Sequence, residues 1–136
     1  MTVLLVDAAN VVGSRPDGWW RDRAGATTRL LRRLAALPGR QLPEGTVTGV
    51  VAEVVAVVEG AARDVPAPDG VRLVRATGSG DDALAATAAD LTAAGRSVLV
   101  VTADRGLRAR LPEGTAVLGP GRLLDVLDRM TGNGSG

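Results

Sequence analysis

The sequence predicts an α/β fold: a three-layer α/β/α sandwich around a mainly parallel sheet of about five strands. Three observations carry this reading. Short apolar runs recur along the chain, VLLV at 3–6, VVAVV at 54–58 and VLVV at 98–101. They are continuous rather than alternating, as expected of strands covered by helices on both faces. Stretches of helical periodicity separate them, and that alternation argues for parallel strands joined by right-handed crossovers. The chain has 136 residues, 46% of them apolar, enough for one domain with a real core.

Each element follows in order. Val3–Asp7 is the first strand, and Val11–Gly18 is a loop broken by Gly13, Pro16 and Gly18. Trp20, Ala24, Thr27, Leu31 and Leu34 recur at steps of four, three, four and three, which predicts one helix from Trp19 to Leu37. Arg29, Arg32 and Arg33 fall on its other side, most simply a solvated face. Pro38-Gly39 stops it. After a polar turn at Gln41–Gly45, the Val-rich segment Thr46–Glu59 holds a strand at Glu53–Val58, with Glu59 at its carboxyl end.

Asp64–Gly70 is a turn-rich connection and Val71–Arg75 a short strand. Ala76–Gly80 delivers Asp81-Asp82 to the start of a helix, Asp81–Ala94, with Leu84, Ala88 and Leu91 as its buried stripe and Gly95 as its stop. Ser97–Thr102 is a buried strand, followed by Ala103-Asp104 and a helical turn or two through Leu111. Thr115–Leu118 is the last strand. The final helix carries Leu123, Leu127 and Met130 on one side. Residues 1–131 form the single domain, and 132–136 read as a flexible Gly/Ser tail.

Composition excludes several chemistries. There is no Cys, hence no disulfide or thiolate metal site, and no His, which removes the usual general base and the commonest zinc ligand. Every basic residue is Arg, and Lys, Ile, Phe and Tyr are absent, a bias that points to a GC-rich genome rather than to function. Sixteen basic residues against 15 acids leave a net charge of +1, so charge alone does not announce a nucleic-acid binder. The first apolar run is too short for a signal peptide, and no span reaches the roughly 20 apolar residues of a membrane helix. The expectation is a soluble, cytoplasmic protein without a membrane partner.

The acids carry the functional signal. Asp7 ends the first strand, Asp81-Asp82 opens a helix, and Asp104 follows the SVLVVT strand. In a parallel sheet these points share one edge, outside the carboxyl ends of the strands. If the first strand and SVLVVT are neighbours at the topological switch point, Asp7 and Asp104 face each other. Crowded carboxylates stay ionised at neutral pH only beside a cation; otherwise some take up protons. Such oxygen donors suit Mg²⁺ or Mn²⁺, which serve phosphodiester hydrolysis. Each acid also has a plainer reading. Asp104, Asp81 and Asp82 suit helix N-caps or first turns, whereas Asp7, directly after a buried run, is expected to have no cap to make. Asn10 is a candidate to orient Asp7 through its amide, or a turn residue. Glu59 is a further candidate acid, with a surface position as the alternative.

Taken together, VDAAN, DDALAATAADL and VVTADRGLRAR resemble the PIN-like nucleases, in particular their NYN branch. The resemblance spans Val3 to about Leu111. It implies an acidic metal site holding Mg²⁺ or Mn²⁺ and hydrolysis of single-stranded RNA. Carried over, Asp7, Asp81, Asp82 and Asp104 are metal-site acids, with Asn10 beside them in the catalytic set. The family's further acid, between the first helix and Asp81-Asp82, has only Glu59 to fill it.

Substrate contacts are expected from Arg15, Trp19, Arg21 and Arg105, since bases stack on aromatics and Arg contacts phosphate. Trp20 matches the helix stripe and is expected in the core, leaving Trp19 exposed. The reading is a metal-dependent endoribonuclease. Its alternatives are a nucleotide (NTP) pyrophosphohydrolase and a non-catalytic RNA-binding domain. A homodimer and a regulatory protein partner stay open.

Overall fold

The computed structural model describes residues 1–42 and 49–135, with side chains described as far as Met130. The start of the Val-rich segment from Thr46, and most of the turn before it, lie outside the described residues. Five parallel strands are described: β1 (Thr2–Asp7), β2 (Val51–Val58), β3 (Val71–Arg75), β4 (Ser97–Val101) and β5 (Ala116–Leu118), in the order β3-β2-β1-β4-β5. The helices are α1 (Ala8–Val12), α2 (Arg23–Leu34), α3 (Gly80–Ala93), α4 (Arg105–Ala109) and α5 (Pro120–Ser135).

β1 lies at the centre, paired with β2 on one side and β4 on the other. All six of its residues are buried, as its unbroken apolar run requires. Successive side chains point to opposite faces. Leu4, Val6, Val54, Ala56, Val58, Leu99 and Val101 therefore pack with Val11 of α1, Leu30, Leu31 and Leu34 of α2 and Leu123 and Leu127 of α5. Val3, Leu5, Val55, Val57, Val98 and Val100 meet Leu84, Ala88 and Leu91 of α3 and Leu107 of α4. This is the three-layer sandwich.

Four helical segments differ from the sequence reading. The helix expected over Trp19–Leu37 is split into a single 3-10 turn at Trp19–Arg21 and α2. The break is at Asp22, whose backbone is extended (φ −153°) and whose side chain caps α2 by accepting from Gly25 N at 2.9 Å. The stretch after β1 is also more ordered than a loop, because Asp7 caps the short helix α1. Helix α3 begins one residue early, at Gly80, with Ser79 as its cap. Helix α5 is held by Asp128, which accepts from Arg15 at 2.9 Å and Arg33 at 2.6 Å. Its bounds run to Ser135 and so take in most of the segment assigned to a tail. Among the described residues no helix is long and apolar enough to cross a membrane.

Candidate functional site

Strand alternation decides which side chains reach the rim. On β1 the row Val3, Leu5 continues to Asp7; on β2 the row Val55, Val57 continues to Glu59; on β4 the row Val98, Val100 continues to Thr102. All three rows lie on the face that α3 covers, so three polar side chains emerge together where the apolar rows stop. Between β1 and β4 the strand order reverses, which is where open sheets of this kind leave a crevice.

The first and fourth strands are knotted together there by hydrogen bonds. Thr102 Oγ1 donates to Asp7 Oδ2 at 3.2 Å and accepts from Asp104 N at 3.2 Å. Asn10 N donates to Asp7 Oδ1 at 3.3 Å, while Asn10 Oδ1 accepts from Ala103 N at 2.9 Å. Asn10 thus holds Asp7 with its backbone and spends its side-chain amide on the loop after β4. The expectation that it orients Asp7 through that amide is corrected. So is the expectation that Asp7 has no cap to make: it caps α1 and lines the rim at once.

Asp7 is 7% exposed, and its carboxyl is pushed up from 3.8 to about 6. Burial is the largest cause; the bonds from Asn10 and Thr102 pull the other way; the negative charges of Asp81 and Glu59 add to the rise. Asp81 and Glu59 therefore share Asp7's neighbourhood. Glu59 reaches it across Gly80: a Cβ on residue 80 would fall on the Glu59 carboxylate. Among the described residues no arginine pairs with Asp7, Glu59, Asp81 or Asp104.

Asp82 behaves differently from its neighbour. It is bonded to Arg110 at 2.8 Å on the surface, with its side chain 71% exposed, and does not join the group around Asp7. Successive helix positions are about 100° apart, so adjacent acids cannot face one point. Asp104 brings its backbone to the cluster through Thr102, and its Oδ1 caps α4 by accepting from Leu107 N at 3.0 Å.

The expected substrate contacts divide in the same way. Arg15 is engaged by Asp125 and Asp128 of α5, which removes it from the rim. Arg21 and Arg105 are exposed and unpaired among the described residues. The two tryptophans are reversed from expectation. Trp20 is 53% exposed, while Trp19 is half-buried with Arg23 stacked on its ring at 5.3 Å. The break at Asp22 takes Trp20 off the α2 stripe.

The donor set is all carboxylate oxygen, which fits a hard divalent cation. Among the described residues no three acidic side chains converge tightly enough to cage an ion alone. Mg²⁺ sites commonly use one or two carboxylates and complete the shell with water and substrate phosphate. Thr102 and Gly80 are positioning residues that sequence reading passed over. The T-x-D spacing at 102–104 was the signal for the first; nothing in the sequence marks the second.

Fold and rim together define a parallel α/β domain with acids gathered at its switch point. No protein-family model matches the chain, and no curated protein does. Solved structures share its fold. Rae1 (YacP) from Bacillus subtilis matches with a TM-score of 0.66 at 18% identity, over 98% of this chain and 77% of that one. A single-substitution variant of the same protein gives 0.68 at 20% identity, over 98% and 79%. At this identity the likeness establishes the architecture.

Proposed function

We propose that this chain is a metal-dependent endoribonuclease acting on single-stranded RNA. The observation that carries the proposal is a buried carboxylate, Asp7, at the switch point, its pKa raised further by the charges of Asp81 and Glu59 from two other segments, with no arginine paired to any of the three among the described residues. A fold does not need a carboxylate buried there, because an unbalanced buried charge costs stability.

Asp7 and Asp81 would hold Mg²⁺ or Mn²⁺, with Glu59 and Asp104 beside them. When bound, such an ion polarises phosphate oxygens and offsets the charge that develops in hydrolysis. The chain's own residues do the rest. Thr102 and the backbone of Asn10 fix the two oxygens of Asp7. The Asn10 side chain holds the loop after β4 against α1. Arg21 and Arg105, both exposed, are placed to contact backbone phosphates. The fold likeness to Rae1 (YacP) supports the architecture of this reading.

The test is cleavage of a single-stranded RNA in Mn²⁺ by wild type and Asp7→Asn. Cleavage that the substitution lowers by about a hundredfold or more supports the proposal. The open acid cluster favours a second reading, an RNA-binding domain without turnover. RNA bound but not cleaved in either metal, equally by both proteins, would establish that reading instead. Hydrolysis of free nucleoside triphosphates with none of RNA would point to a pyrophosphohydrolase.

A further inference from the structure

Beside the acid cluster lies a cavity of about 160 Å³, lined by Ala8, Val12, Trp19, Arg23, Thr27 and Glu59 among others. Glu59 belongs to both, so the cavity adjoins the acid cluster at that side chain. We infer that this cavity is a subsite for a single unstacked nucleobase of the RNA strand whose phosphate lies at the acids. The inference rests on the nuclease reading above and adds the group that the site grips.

Three observations point to a base rather than an apolar group. The first is Thr27, which is 3% exposed yet has a hydroxyl without a hydrogen-bond partner among the described residues. No side-chain polar atom among those residues is both enclosed and unpartnered, so this hydroxyl opens into the free space beside it, and Thr27 lines the cavity. An apolar occupant would seal it off without a partner, at a real cost in binding. A base edge offers it one.

The second observation is the Trp19 ring, half-buried in the cavity wall, with the Arg23 guanidinium 5.3 Å from its centroid. Unstacked bases are held by aromatic rings and by the planes of guanidinium groups, and Arg23 is otherwise unpaired among the described residues. The third is size. Pockets for drug-sized ligands begin at roughly 300 Å³, so this one takes a lone ring system and leaves sugar and phosphate outside. The outside nearest Glu59 is the acid cluster.

Short single-stranded oligoribonucleotides, each abasic at one position, are titrated in EDTA into a Trp20→Phe protein. That background leaves Trp19 as the only indole, since the chain has two tryptophans. The intact strand is expected to quench Trp19, and one abasic position alone should weaken binding about tenfold. Thr27→Val should erase that position's effect while keeping the thermal midpoint. Equal weakening at every abasic position, or an unchanged profile in Thr27→Val, overturns the inference. Parallel cleavage in Mn²⁺ separates the two proposals. Cleavage with a flat abasic profile removes the subsite and leaves the nuclease. A selective profile without cleavage removes the nuclease and keeps the base site.

Discussion

Asp7 sits at the end of a strand with no exposed residue, and its carboxyl titrates near 6 rather than 3.8. The folded chain therefore holds that proton more tightly than the unfolded chain. Stability associated with it is fully present below about pH 3.8 and falls as pH rises to about 6, by about 3 kcal/mol. Above pH 6 the ionised group remains a cost. Asp7→Asn keeps an acceptor for Asn10 N and removes the charge. Its thermal midpoint should exceed wild type by several degrees at pH 7 and match it near pH 4, while RNA cleavage disappears. Melts at the two pH values check this, and a midpoint equally lowered at both would contradict it.

At the same scale, Asp7 was legible because a carboxylate ended an unbroken apolar run. Asp82 was not, because which of two adjacent acids faces the rim depends on helix phase, and Ser79 sets that phase by starting α3 at Gly80. The Asp82–Arg110 pair is exposed and should contribute at most about 1 kcal/mol. Asp82→Asn is accordingly expected to leave cleavage within about twofold of wild type, measured on the same RNA.

Among the elements, the start of α3 matters most to the site. Glu59 lies over Gly80 where any Cβ would displace it. The obstructing atoms are the far end of a flexible side chain, so the fold can yield there. Gly80→Ala should keep its unfolding free energy within about 1 kcal/mol of wild type, since alanine also suits a helix better. The Glu59 carboxylate should leave the cluster, so the pKa of Asp7 should fall and Mn²⁺ binding weaken. Carboxyl titration by NMR reads the first effect; an unmoved Asp7 would contradict this role for Gly80. The strands and most helices were legible from periodicity. The split of the first long helix was not, because the apolar spacing from Trp20 onward ran through Asp22, and only the cap that Asp22 makes with Gly25 N starts α2 there. That one cap also reversed the two tryptophans.

For the whole molecule, sheet order sets where the candidate site lies. Strand order β3-β2-β1-β4-β5 places β1 between β2 and β4, so that the carboxyl ends of three strands meet at one rim. In the sequence, the neighbouring of β1 and β4 was a condition for Asp7 to face Asp104; the structure pairs the two strands, while Asp104 Oδ1 is spent on capping α4. Which partner stood on the other side of β1, and hence that Glu59 would join Asp7, needed the pairing of β1 with β2. The same centrality makes β1 the keystone of both cores: Leu4 is fully buried on one face and Leu5 on the other. Leu4→Ala should cost about 2–5 kcal/mol in a denaturant titration; a loss under about 1 kcal/mol would mean that the centre repacks freely.

The central claim is that Asp7 at the end of β1 and Asp81 at the start of α3 hold one divalent cation. Calorimetric titration of Mn²⁺ into wild type, Asp7→Asn, Asp81→Asn and Asp82→Asn at pH 7 tests it directly. Binding in wild type and Asp82→Asn, with loss in Asp7→Asn and Asp81→Asn, is the expected result. No heat of binding in wild type, or equal binding in all four proteins, would contradict the account.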